Sequence, residues 1–151
     1  MLDESAHQWT TAEAAETYSI ASWGRGYFSI NDQGNVCVHP EKDPQRAIDL
    51  PQLVETLRLR QLDVPLLLRF NGILEDRIDE MHATFAAAIA EHNYQGSYLG
   101  VYPIKVNQQR QVVEQIVQHG RKYSFGLEAG SKPELLAVIA MTDIDTPIIC
   151  N

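Results

Sequence analysis

From about residue 50 onward, short apolar runs alternate with longer amphipathic stretches. "DLPQLVETLRLRQ" reads as a short helix opened by Asp49 or Leu50, with Pro51 in its first turn. "VPLLLRF" reads as a first strand. In "NGILEDRIDEMHATFAAAIAEHNY", Leu74, Ile78, Met81, Phe85 and Ile89 recur at three- and four-residue steps, the period of a long amphipathic helix. "SYLGVYPIKVN" is the expected second strand. "QQRQVVEQIVQHG" follows as a helix with Val112, Val113, Ile116 and Val117 on one face, Asn107 as N-cap and Gly120 just past its end. "YSFGLEAG" is the third strand. "SKPELLAVIAM" is a helix opened by a capping box of Ser131 and Glu134, and "TPIIC" begins the fourth strand. This βαβαβαβ order, with roughly 25 to 30 residues per repeat, predicts parallel strands covered by helices.

The pattern before residue 50 is different. After a polar lead-in, Tyr27, Phe28 and Ile30 precede the turn cluster Asn31 to Asn35, and Val36 and Val38 follow it. That is a β-hairpin signal, with Gly34 free to take positive φ. "HPEKDP" is a polar connector. The expected organisation is therefore an N-terminal segment with a β-hairpin over 1–50 and a parallel α/β region over 51–151.

A doubly wound sheet and a (β/α)8 barrel both fit the second region. A whole barrel needs on the order of 250 residues, so about four parallel strands make its first half. The sequence stops on an apolar strand with nothing to cover its edge. The expectation is an incomplete fold, an N-terminal fragment of a longer protein.

Charge and composition narrow the partners. The 151 residues carry a formal net charge of −8, which argues against nucleic acid or an anionic membrane surface. No stretch is long and apolar enough to span a bilayer, and the opening residues lack a signal-peptide layout. Two distant cysteines, Cys37 and Cys150, read as reduced thiols of a cytoplasmic protein. The five histidines form no ligand-spaced cluster, so no metal site is expected from them.

Candidate chemistry comes from strand parity. In the second strand, Val101, Pro103, Lys105 and Asn107 share one side, while Tyr102, Ile104 and Val106 form an apolar side suited to the helix layer. Lys105 then points away from the helices at the C-terminal end of its strand, where barrels place their chemistry. The same alternation puts Glu128 in the third strand and Arg69 in the first on the inward side. Small residues, Ser124 and Gly126, lie below them. Two cations beside one carboxylate are costly to bury unless they are paired or bind something. Such a triplet also suits a plain ion-pair network.

"YPIKVNQQ" followed by "GLEAGSKPEL" resembles the biosynthetic arginine decarboxylase family, pyridoxal-phosphate enzymes of the alanine-racemase-like barrel class. "WGRGYFSINDQGNV" is similar to a segment near that family's N-terminus, and "LLLRFNGIL" and "PIICN" to its first and fourth strands. The resemblance runs from about Tyr18 onward. It implies that Lys105 bonds covalently to pyridoxal 5'-phosphate, that Glu128 holds the acidic position of strand three, and that Glu134 matches a glutamate of the same motif. It implies decarboxylation of L-arginine to agmatine for polyamine synthesis, magnesium as an associated ion, and a homo-oligomer with active sites between subunits. The segment over 1–50 would then belong to a separate β-domain. The amine must be neutral to attack an aldehyde, and Arg69 could favour that if it lies close. The phosphate loop, the acid facing the pyridinium nitrogen and the substrate-facing residues are expected beyond Asn151, so the segment alone is expected to be inactive. Rival readings are an ornithine or diaminopimelate decarboxylase of the same class, a non-catalytic cofactor-binding barrel, and a doubly wound interaction domain. Neither a G-x-G-x-x-G nor a P-loop motif supports the last.

Overall fold

The structure, a computed structural model, describes residues 9–151. Residues 1–8, the start of the lead-in where no signal layout is expected, lie outside the described residues. The chain forms two compact units, Met1–Ile73 and Leu74–Asn151. The division falls later than the boundary at residue 50 expected from the sequence.

The first unit opens with helix α1 (Thr11–Thr17). A Thr-x-x-Glu box starts it: the Glu13 amide donates to Thr10 Oγ1 at 3.2 Å, and the Thr10 amide donates to Glu13 Oε2 at 2.9 Å. This signal lies inside what reads as a polar lead-in. A short helix α2 (Ile20–Gly24) follows.

Strands β1 (Phe28–Ile30), β2 (Val36–Val38) and β3 (Ile48–Asp49) form an antiparallel sheet in that order, with Ser29 opposite Cys37 and Val38 opposite Ile48. The loop between β1 and β2 is tied by Asn31, whose Oδ1 accepts from the amides of Gln33 and Asn35 at 3.0 and 2.9 Å. Gly34 takes φ +82°, which a side chain there would resist.

Asp49 links this loop to helix α3 (Leu50–Leu59). Its Oδ2 accepts from the side-chain Nδ2 groups of Asn31 and Asn35, and its Oδ1 caps the helix at the Gln52 N–H. Those bonds, the Asn35 one foremost, hold its carboxyl below the ordinary range.

The segment 64–70 does not form the expected first strand. Its residues alternate half-buried (Leu66, Leu68, Phe70) and exposed (Leu67, Arg69), as strand parity predicts, but it joins no ladder among the described residues. An apolar run shows periodicity, and only a partner makes it a strand. The parallel sheet therefore has three strands here, not four.

In the second unit, most of α4 (Asn71–Glu91) precedes β4 (Val101–Pro103), α5 (Arg110–Gly120), β5 (Gly126–Ala129), α6 (Lys132–Met141) and β6 (Ile148–Cys150). The strands are parallel, in the order β4-β5-β6. The core gathers Ile78, Ile104, Val113, Ile116, Val117, Phe125, Leu127, Ala129 and Val138, with Tyr102 and Ile148 packed against it. Tyr102, Leu127 and Ile148 sit side by side across the ladders, so their face of the sheet meets the helices. Alternation assigns Val101, Pro103, Gly126, Glu128 and Ile149 to the opposite face. Each fully buried Val, Leu or Ile on the helix side stabilises by about 1.5–3 kcal/mol.

Three local expectations change. Asn107 does not cap α5; Gln109 holds that position without a side-chain cap bond, while Asn107 Oδ1 accepts from the Gln109 amide. Gly120 is the last residue of α5 at an ordinary negative φ, and Ser124, at +53°, takes the left-handed conformation after a 3-10 turn. Gly120 is needed for space, because a Cβ there would stand 2.7 Å from Phe125 Cβ. At α6, Ser131 Oγ accepts from the Glu134 amide as expected, but the Glu134 carboxylate reaches the Gly130 amide at 2.7 Å rather than Ser131.

A charge cluster fastens α4 to the end of α5. Asp79 meets His119 Nε2 at 2.7 Å and Lys122 Nζ at 2.8 Å. Burial pushes the Asp79 carboxyl up, but hydrogen bonds from Lys122, His119 and Tyr123 outweigh it and hold its pKa at about 2, below the ordinary 3.8. A depressed folded pKa gives stability that is complete above the unfolded value and lost as pH falls from about 4 to about 2. The side chain is 39% exposed, so solvent screening reduces its worth to about 1 kcal/mol. Asp79→Asn should therefore cost about 1 kcal/mol near pH 7 and remove that part of the acid limb. Urea titrations at several pH values check this; equal losses at pH 7 and pH 2 would contradict it.

Candidate functional site

The chain leaves β4 at Pro103 and enters a 3-10 turn, Ile104–Val106. Strict alternation therefore ends before Lys105. A 3-10 turn repeats every three residues, so neighbouring side chains diverge by about a third of a turn instead of facing opposite ways. Ile104 points into the core at 1% exposure, while Lys105 and Val106 are exposed, Val106 at 71%. The expectation that Val106 joins the helix layer is overturned for this reason.

The turn is held by Ile104 on one side and by hydrogen bonds on the other. The Tyr102 hydroxyl donates to the Asn107 carbonyl at 3.2 Å, and the Gln109 amide donates to Asn107 Oδ1 at 3.0 Å. The second bond is an Asx turn, which any Asn in a loop can form. The sequence marks Asn107 as a helix cap and Tyr102 as a helix-side residue, but shows neither the hydroxyl bond nor the Asx turn. The usable signal is an Asn two residues before the N-cap, Gln109.

The turn packs against β5. In that strand Glu128 stands in register with Pro103 on one side and Ile149 on the other. Glu128 is only 7% exposed, and its Oε1 has no hydrogen-bond partner among the described residues. A buried acceptor without a donor costs about 1–3 kcal/mol, so it marks a place where a donor would be welcome. A small hollow of about 190 Å³ lies at the same strand ends, lined by Ala129, Gly130, Ser131, Lys132, Cys150 and Asn151 among others.

The structure thus brings Lys105 and Glu128 to the C-terminal end of one sheet. Arg69 belongs to the first unit, exposed on segment 64–70, which joins no ladder among the described residues. Glu134 serves α6 as a cap through Gly130. Among the described residues no three His, Cys, Asp or Glu side chains gather as metal ligands, and no helix is long and apolar enough to cross a membrane. An exposed primary amine can bond a carbonyl carbon, and a buried carboxylate at the same sheet end can accept a hydrogen bond.

Fold and site together define an α/β segment that carries reactive side chains where parallel strands end, as helix-covered sheet enzymes do. No protein-family model matches the chain. Curated relatives do: it is 56% identical over 144 residues to the biosynthetic arginine decarboxylase of Rhodopirellula baltica, covering 95% of this chain and 22% of that protein. It is 51% identical over 146 residues to the enzyme of the same name from Thermosynechococcus vestitus, again over 95% of this chain and 23% of the relative. The crystal structure of the biosynthetic arginine decarboxylase SpeA from Campylobacter jejuni superposes with a TM-score of 0.81 at 37% identity, over 89% of this chain and 22% of that one. Over nearly its whole length, then, the chain is homologous to a segment of the biosynthetic arginine decarboxylases. It spans about a fifth of their length.

Proposed function

We propose that this segment carries the cofactor-bonding lysine of a pyridoxal-phosphate-dependent arginine decarboxylase, which converts L-arginine to agmatine and carbon dioxide for polyamine synthesis. The observation that carries the reading is the placement of an exposed amine, Lys105, and the unsatisfied buried carboxylate of Glu128 at the same end of one sheet. Homology to proteins named for the reaction supports the substrate. The three-stranded sheet with helices on one face is read as part of a (β/α)8 barrel, and residues 1–50 as part of a separate β-domain. Oligomerisation and a cytoplasmic location belong to the same proposal.

The residues present fit the cofactor. Lys105 would hold it through Nζ, and Glu128 Oε1 would accept a hydrogen bond from it or from a group beside it. Arg69 is a weaker candidate because no ladder places it at the sheet end. When bound, pyridoxal phosphate supplies an electron sink for the pair released as carbon dioxide leaves. Lys105 Nζ must be uncharged to bond and can then carry a proton at the reacting centre. The backbone turn at Ile104–Val106 fixes where that nitrogen starts, and Ile104 keeps water from the underside. Magnesium is not fitted by the residues described, and no step is assigned to it.

Borohydride reduction of the full-length protein with pyridoxal phosphate, followed by peptide mapping, tests the site. The label is expected on Lys105. Label on Lys122 or Lys132 with Lys105 clean would reject the assignment. Product analysis with arginine, ornithine and diaminopimelate separates this reading from the related decarboxylases, and agmatine with carbon dioxide is the expected pair.

A further inference from the structure

We propose that Tyr102 is a positioning residue for Lys105, its hydroxyl fixing the far end of the turn that carries the amine. The inference rests on the reading that Lys105 bonds the cofactor.

The turn has two ends, and they are anchored differently. Its first residue, Ile104, is locked into the core at 1% exposure. Its last, Val106, is 71% exposed and gains no hold from packing. What secures that end is polar: the Tyr102 hydroxyl donates to the Asn107 carbonyl at 3.2 Å, spanning Lys105 from a residue before the turn to the residue after it. Asn107 is in turn braced by the Gln109 amide, one residue before α5. The Tyr102 ring packs against the core on the helix side of the sheet, so the hydroxyl is presented from a rigid base. Lys105 therefore sits on a backbone arc clamped at both ends, and only its side-chain rotors remain free. Reactive groups need placement within about half an ångström. A clamp of this kind holds the backbone to that tolerance without touching the reacting atoms.

A purely structural tyrosine would affect stability alone. A positioning one alters turnover in protein that still folds and still binds. In the full-length, cofactor-loaded protein, Tyr102→Phe keeps the ring and its packing and removes the hydroxyl. The expected result is a fall in kcat of about tenfold with KM for arginine changed by less than about twofold. The pH titration of the bound cofactor's visible absorption should shift as well. Replacing Tyr102 with 3-fluorotyrosine, a stronger donor of similar shape that stays protonated at neutral pH, should preserve the fold and shift the same titration in the opposite direction. Unchanged kcat and unchanged titration in both variants would overturn the inference. So would a lower melting temperature with wild-type turnover per loaded site. Should Tyr102→Phe fail to fold, the 3-fluorotyrosine protein decides alone: a shifted titration supports the inference, an unshifted one overturns it. Borohydride labelling of the unaltered protein keeps the two readings apart. Label away from Lys105 overturns the functional reading, whereas label on Lys105 with indifferent Tyr102 variants overturns this inference only.

Discussion

Replacing Lys105 with alanine in the full-length protein is expected to abolish covalent capture of pyridoxal phosphate and to lower arginine decarboxylation by at least roughly a thousandfold. Lys105→Arg should fail equally. It keeps a positive charge at the same exposed turn, but a guanidinium stays protonated and does not serve as the nucleophile. The paired substitutions therefore separate a need for charge from a need for a bonding amine. Agmatine formation and borohydride labelling are the measurements. An alanine variant retaining more than about a tenth of the activity would show that the amine is not the anchor. Lys122→Ala is the matching control. Its amine is tied to Asp79 at 2.8 Å, so the expected change is in acid stability and not in turnover.

Lys105 also shows how far the sequence could be read. Its placement at the end of a strand followed from a run of apolar residues with one amine, and the strand is there as Val101–Pro103. Its orientation could not follow from the same reasoning. Alternation by twos holds only while the backbone is extended, and the chain tightens into a 3-10 turn one residue before the lysine. Glu128 lies inside its strand, so parity held and assigned it to the face away from the helices. The run 64–70 keeps the period-two burial that its sequence suggests, yet joins no β-ladder among the described residues, because strand formation depends on a neighbouring strand and not on the run itself. Helix α1 escaped notice despite its Thr10–Glu13 box, since a helix of seven residues with no buried side chain leaves no apolar stripe. Strand β3, two residues long, offers too little sequence for any period to register.

The second large effect is expected at Gly126, the first residue of β5. A Cβ at this position would lie 2.3 Å from the Pro147 carbonyl oxygen and 2.9 Å from Pro147 Cβ. The obstacle is backbone, which does not swing aside as a long side chain would. The Pro147 carbonyl is also held in place, because it accepts the Leu127 amide at 2.9 Å. Gly126→Ala must therefore push apart the approach to β6 or break the start of the ladder. A loss of about 3 kcal/mol is expected, at the upper end of ordinary overpacking. Denaturant titration of the purified variant checks it, with reduced soluble yield as the coarser sign. A cost below about 0.5 kcal/mol would mean the strands can part freely there, and the close approach would not be a constraint. Gly120 is constrained in the same way, because the atom its Cβ would meet is Phe125 Cβ at 2.7 Å, which turning the Phe125 ring does not move.

The unsatisfied oxygen of Glu128 carries a consequence for how such a segment can be improved. An apolar side chain of similar volume would remove an uncompensated buried acceptor, and exchanges of that kind are often neutral or favourable to folding. Selection or engineering for robustness alone would thus drift toward leucine at this position and erase the acceptor in the process. On the proposed role of Glu128, durability and chemistry pull this one residue in opposite directions, and a thermostable variant of the full-length protein should be examined at position 128 before it is trusted as a catalyst.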